Sequence, residues 1–161
     1  MRNSIIYEER IISKWMIIIL TVPIVLLLFV FYQLYREGVE IQQFFGYFLL
    51  IILILLGLVM NFSTLIVRFT TQSISVGYGI LKYNIEWKDI EDCYLDKTPT
   101  IKYGGWGIRI GKVEGRWRLV FNVIGSPRIV LSLKRGRFKE FVFSTNDPQK
   151  VMGMVKQRLV K

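Results

Sequence analysis

Two apolar runs constrain this chain more than any other feature. No charged residue stands between Lys14 and Arg36, and none between Glu40 and Arg68. A helix rises about 1.5 Å per residue, so either run can cross a hydrocarbon layer roughly 30 Å thick. The runs predict two transmembrane helices, 15–35 and 44–67, joined by a short external loop, 36–43. Residues 1–14 then form a cytoplasmic N-terminal segment and 68–161 a cytoplasmic domain.

Aromatic residues sit where a bilayer interface would want them. Trp15 stands at one end of the first run and Phe31, Tyr32 and Tyr35 at the other, the pattern of interfacial belts. A secretory signal would carry a shorter apolar run and a small-residue cleavage site. Pro23 falls inside the first run, where a transmembrane helix tolerates it. Neither run holds a charge, so the hairpin reads as an anchor and not as an ion path.

Charge sets the orientation. The chain carries a formal net charge of +10. Residues 1–67 balance Arg2, Arg10, Lys14 and Arg36 against Glu8, Glu9, Glu37 and Glu40, so the excess lies wholly in 68–161. The positive-inside rule then places both termini in the cytoplasm of a two-span cell-membrane protein. The single cysteine, Cys93, excludes an internal disulfide.

After Val67 the apolar period changes from helical to two, the signature of strands. Ile74 and Val76 alternate with Ser73 and Ser75, and Leu81, Tyr83 and Ile85 continue after glycines 77 and 79. Trp117, Leu119 and Phe121 alternate with Arg116 and Arg118, which puts the aromatic residues on the core face and the arginines outside. Ile129 and Leu131 alternate with Arg128, and a turn at Arg135-Gly136 leads back through Phe141 and Phe143. Asn146-Asp147-Pro148 is a helix start, and Val151, Met154, Val155 and Leu159 follow at helical spacing. The expectation is an antiparallel sheet or small barrel closed by a C-terminal helix, an α+β domain hung from a membrane hairpin.

Three segments carry a resemblance: Ile85-Glu86-Trp87-Lys88-Asp89-Ile90, Tyr103-Gly104-Gly105-Trp106-Gly107-Ile108-Arg109, and Phe143-Ser144-Thr145-Asn146-Asp147-Pro148. On these the chain resembles the PH-like (pleckstrin-homology-like) domains of small bacterial and archaeal membrane proteins. The resemblance implies a strongly bent sheet closed by a C-terminal helix. It implies little about activity, because such folds serve many binding roles.

Catalytic readings find little to stand on. The chain has no histidine, which removes the commonest general base and transition-metal ligand. The glycines of 104–107 and 111 match neither phosphate-loop nor dinucleotide spacing: Trp106 and Ile110 occupy positions that would have to be glycine. They read as a turn, or as an interaction loop made of Tyr103, Gly104, Gly105, Trp106, Gly107 and Arg109. Asp89, Glu91, Asp92 and Asp96 read as a solvated turn or as the internal complement of the basic strands. Cys93 lies among acids, which disfavour a thiolate.

The stretch 101–139 is strongly basic, with Glu114 its one acid. A solvated face is one reading. Contact with an anionic leaflet is another, each nearby Lys or Arg contributing about 1 kcal/mol, with Arg116, Arg118 and Arg128 as candidate lipid contacts. Nucleic acid is disfavoured by the tether. The sequence thus predicts a non-catalytic, membrane-anchored binding or scaffold protein with no cofactor or metal. Its partners would be the bilayer, anionic headgroups, or another membrane protein or itself. The alternative is a structural assembly subunit that oligomerises without lipid specificity.

Overall fold

The computed structural model describes residues 4–159 except 41. The expected loop residue Ile41, the first three residues and the last two lie outside the described residues. The chain divides into two compact units, one made of 13–63 and the other of residues on both sides of it.

The first unit is a helical hairpin. Helix α1 spans Lys14–Arg36 and α2 spans Gln42–Phe62. Both are long and apolar enough to cross a membrane. Neither contains a buried residue. The helices meet through aromatic rings, with Phe31 stacked on Phe48 at 4.4 Å between centroids. Pro23 sits within α1 without ending it. At the open end of the hairpin the Ser13 amide donates to the Ser63 carbonyl over 2.8 Å.

The second helix stops at Phe62, short of the expected Val67, because Thr64–Thr70 is strand β2. β-branched Thr64, Ile66 and Val67 end an apolar run that composition alone reads as helix, and Leu65, Val67 and Phe69 turn inward at period two. The N-terminal segment also has structure of its own. Ile5–Ile12 is strand β1 and pairs antiparallel with β2 from Ile5↔Thr70 to Ile12↔Thr64. Glu8 stands opposite Arg68 in this register and binds it at 2.8 Å, a cross-strand pair of the kind that stabilises a ladder. The sheet domain therefore begins before the hairpin, not at residue 68.

Strands β3 (Ser73–Tyr78) and β4 (Leu81–Glu86) complete a four-stranded antiparallel sheet in the order β1-β2-β3-β4. A 3-10 turn at Trp87–Asp89 leads to a second sheet. It contains β5 (Ile90–Leu95), β6 (Gly107–Val113), β7 (Arg116–Asn122), β8 (Arg128–Leu133) and β9 (Glu140–Ser144), ordered β5-β8-β9-β7-β6. This sheet is mixed and not wholly antiparallel, since β7 and β9 run parallel. All five residues of β9 are buried, so the chain places it at the centre, where both its edges are paired. Helix α3, Pro148–Leu159, packs on β5 and β8 through Val151 and Val155.

The main core lies between the sheets, where Leu65, Val67, Phe69, Ile74 and Val76 of the first meet Phe121, Ile129, Leu131, Phe141 and Phe143 of the second. Tyr78 ties the two together. Its hydroxyl donates to the Asn122 carbonyl over 2.6 Å, and its ring stacks on Phe121. A smaller core of Tyr103, Val113, Val120, Val130 and Val142 lies on the opposite face of the second sheet.

Because β1 completes the domain, residues 68–161 alone lack both β1 and half of β2. A chain in which 14–62 are replaced by a short Gly/Ser link is expected to melt as one cooperative transition by circular dichroism. Residues 68–161 alone are expected to show no cooperative melt.

Candidate functional site

The strand order imposes an unusual demand on the connection between β5 and β6. These strands form opposite edges of the second sheet, so residues 96–106 must cross its whole outer face. A segment laid over a sheet buries backbone polar groups that need partners. The outer face supplies them through Arg118 of β7 and Arg128 of β8, side chains that period two predicted to be solvent-facing.

The Arg128 Nε donates to Asp96 Oδ2 over 2.8 Å, while its terminal nitrogens reach the Thr98 carbonyl and the Thr100 hydroxyl. Its guanidinium lies over the Tyr103 ring, 5.5 Å from the centroid. Arg118 donates to Glu140 of β9, its partner in register, and to the Tyr103 and Thr98 hydroxyls at 2.7 and 3.1 Å. The Tyr103 hydroxyl in turn donates to Asp96. Tyr94 donates to Glu140 Oε1 over 2.8 Å, and exposed Arg116 reaches the same oxygen at 3.1 Å. The carboxylates of Asp96 and Glu140 are each 1% exposed. Three arginines and two acids thus hold the crossing segment as a strap.

The electrostatics fit a fixed cluster. Burial works to raise the Glu140 pKa, but hydrogen bonds from Tyr94 and Arg118 and the arginine charge outweigh it and hold the carboxyl below its usual range. Burial works to lower the Arg118 pKa, and its hydrogen bonds to Tyr103 and Glu140 reverse that and raise it. Burial first, then the bond to Glu140, pushes the Tyr94 phenol up to about 12. Every oxygen of the two acids that could move a proton is already engaged by a cation or a phenol.

The expected interaction loop is the end of this strap. Residues Thr100–Tyr103 form a 3-10 turn. Gly104, Gly105 and Gly107 then take φ of 74°, 113° and 84°, values that favour glycine, to turn the chain into β6. The Asn122 side-chain amide clasps the Gly105 carbonyl at 3.0 Å. Tyr103 is buried in the cluster, Trp106 is half-buried, and Arg109 is exposed on β6. The turn reading of the glycines therefore describes the backbone. Arg118 is 5% exposed and Arg128 is bound to the strap, so neither presents its charge to a lipid surface, and Arg116 alone of the three candidate contacts remains outside. Asp96 fulfils the expectation of an internal complement to the basic strands, whereas Asp89 pairs with exposed Arg135 at the surface. Glu140 went unnoticed in the sequence. Its signal is an acid that opens a strand otherwise made of buried apolar residues and a serine.

Exposed cations remain on the edge. Arg109 and Lys112 project from β6, and Lys112 stands opposite half-exposed Trp117 in register. No family model, curated protein or solved structure matches this chain.

Substituting Arg118→Met leaves Glu140 buried without its main partner, and about 3–5 kcal/mol of stability is expected to be lost. The pair Arg118→Met/Glu140→Leu is expected to recover most of it. Glu140 has a depressed folded-state pKa, so its stabilisation is present above the ordinary carboxylate value of 4.5 and is lost as pH falls through the lower folded value. In Arg118→Met the carboxyl loses one of the groups that hold its pKa down, and the slope of urea midpoint against pH around 4.5 is expected to flatten.

Proposed function

We propose that this is a two-span membrane protein that holds a PH-like binding domain on the cytoplasmic leaflet, where its exposed basic edge engages anionic headgroups. The observation that carries the reading is the hairpin. Helices of 23 and 21 residues with apolar surfaces and no buried residue have no stable place in water, whereas in hydrocarbon their backbone is satisfied internally and their side chains match the medium. Pairing of β1 with β2 adds a constraint: 5–12 and 64–159 belong to one folded unit, so both flanks of the hairpin lie on the same side. The basic excess favours the cytoplasm. Two sheets with a C-terminal helix support the PH-like comparison.

Connectivity supports a leaflet contact at one end of the domain. Ile11, Leu65, Tyr78 and Leu81 form one row across the first sheet, and the strands leaving this row continue into the helices at Ile12 and Thr64. Tyr78 joins this end to β7, and β6 is the edge beyond it. Lys82, next to Leu81 on β4, stands exposed at this end, and Arg109 lies two residues from Gly107, the partner of Asn122, whereas Lys112 lies opposite Trp117 toward the other end of β6. Binding fits better than catalysis, since the acids of the cluster are committed to arginine and histidine is absent from the sequence.

Full-length protein in membranes is expected to resist alkaline carbonate extraction, and its release into the soluble fraction overturns the membrane reading. In nanodiscs, Lys82 is expected to be protected from an amine-reactive reagent when phosphatidylserine is present and unprotected in phosphatidylcholine alone. Salt should remove the protection. Lys134, beside Asp89 at the far end of the domain, serves as the reference. Equal labelling of both lysines in both lipids overturns the headgroup contact.

A further inference from the structure

The most exposed large apolar side chain among the described residues is Ile80, 88% exposed at the tip of the β3–β4 hairpin. Turn chemistry does not ask for it. Tyr78 and Leu81 are paired, so the turn is the two residues Gly79-Ile80, with positive φ at Gly79. That is the type II′ pattern, which requires glycine at the first position only. At the second position a polar residue would satisfy the turn and keep the tip soluble.

Register shows where this tip stands. The row Ile11–Leu65–Tyr78–Leu81 closes the first sheet at the end where Ile12 and Thr64 lie. A single residue, Ser13 or Ser63, separates each of those from the helices α1 and α2. Adjacent strands are roughly 4.8 Å apart, so β4 is about 10 Å from β2 across the sheet. The same end exposes Ile12 at 60% and Leu81 at 44%, and exposed Lys82 follows on β4. An apolar tip backed by a lysine suits the boundary between headgroups and acyl chains, where the lysine keeps its charge among phosphates.

We propose that the Gly79-Ile80 turn is a second membrane contact, inserted into the same leaflet that the hairpin enters. This rests on the two-span reading above. Its consequence is orientation: two helices joined to the domain through single residues fix where it is attached, and a third point of contact fixes which way it faces.

The test uses full-length protein in nanodiscs with an environment-sensitive fluorophore on Ile80→Cys. Cys93 is buried and its thiol is pushed up to about 12, chiefly by burial, so it competes poorly for the label. Val25→Cys on α1 reports the hairpin, and Gln72→Cys in the β2–β3 turn reports the opposite end of the same sheet. The expected result is quenching of positions 25 and 80 by nitroxide-labelled lipid, with position 72 quenched only by aqueous iodide. Quenching at 25 while 80 behaves like 72 overturns the insertion and leaves the hairpin intact. Protection of 80 from both quenchers means that protein covers the turn, and also overturns it. Absence of lipid quenching at 25 overturns the two-span reading and the insertion with it.

Discussion

Pairing between β1 and β2 is the constraint on which the rest of the architecture depends. It closes a folded domain across an insertion of 51 residues, Ser13–Ser63. For a flexible loop of that length the closure entropy is on the order of 3 kcal/mol, a large charge against one strand pair. The hairpin removes most of it, because two antiparallel helices already return the chain to its starting point, with Ser13 and Ser63 joined by a backbone hydrogen bond. The helices thus serve the closure of the domain. Once β1 is in place, Glu9 accepts from the Thr145 hydroxyl and the Asn146 amide at 2.7 and 2.6 Å, so the first strand also fixes the entry to α3.

The second sheet presents a different problem with the same kind of answer. Putting the fully buried strand, β9, at the centre sends β5 and β6 to opposite edges and obliges the intervening chain to cross the outer face. An apolar strap would have left its carbonyls unpaired. Here the crossing is polar, and Arg128 binds the Thr98 carbonyl directly. Buried ion pairs are often no more stabilising than apolar substitutes. What this one supplies is position, since Asp96, Thr98 and Tyr103 of the strap each meet both arginines.

Much of the layout is legible in the sequence because it rests on periodicity. The hairpin follows from two uncharged runs, most strands from period two, and α3 from its cap and spacing. The departures share a physical cause: period two reports which residues share a side of a strand, and says nothing of what covers that side. Arg116 and Arg118 alternate with Trp117 and Leu119 and read as solvent-facing, yet the strap covers Arg118 while Trp117, beyond the edge of the core, is half-exposed. Strand β1 escaped notice because Ile5-Ile6 and Ile11-Ile12 break the alternation, and because its partner lies more than fifty residues away across the hairpin. Thr64–Val67 read as helix since an apolar run carries no mark of where it leaves the bilayer. The parallel β7–β9 pair is a matter of long-range order that no local pattern encodes.

The burial of Arg118 and Arg128 changes what the charge of this domain can do. A formal excess counted from sequence treats every lysine and arginine as available to a partner, whereas two of the arginines in the basic stretch are spent on Asp96 and Glu140 inside the fold and a third, Arg135, on Asp89. The positive field that remains outside is carried by side chains on the sheet edge and the turns. A screened surface charge acts over about a Debye length, roughly 8 Å at physiological salt, so these cations reach a leaflet only if the domain is held close and turned the right way. Tethering through one residue at Ser13 and one at Ser63 provides closeness. Orientation has to come from elsewhere on the same end of the domain, and the exposed apolar residues there are the groups whose chemistry can provide it.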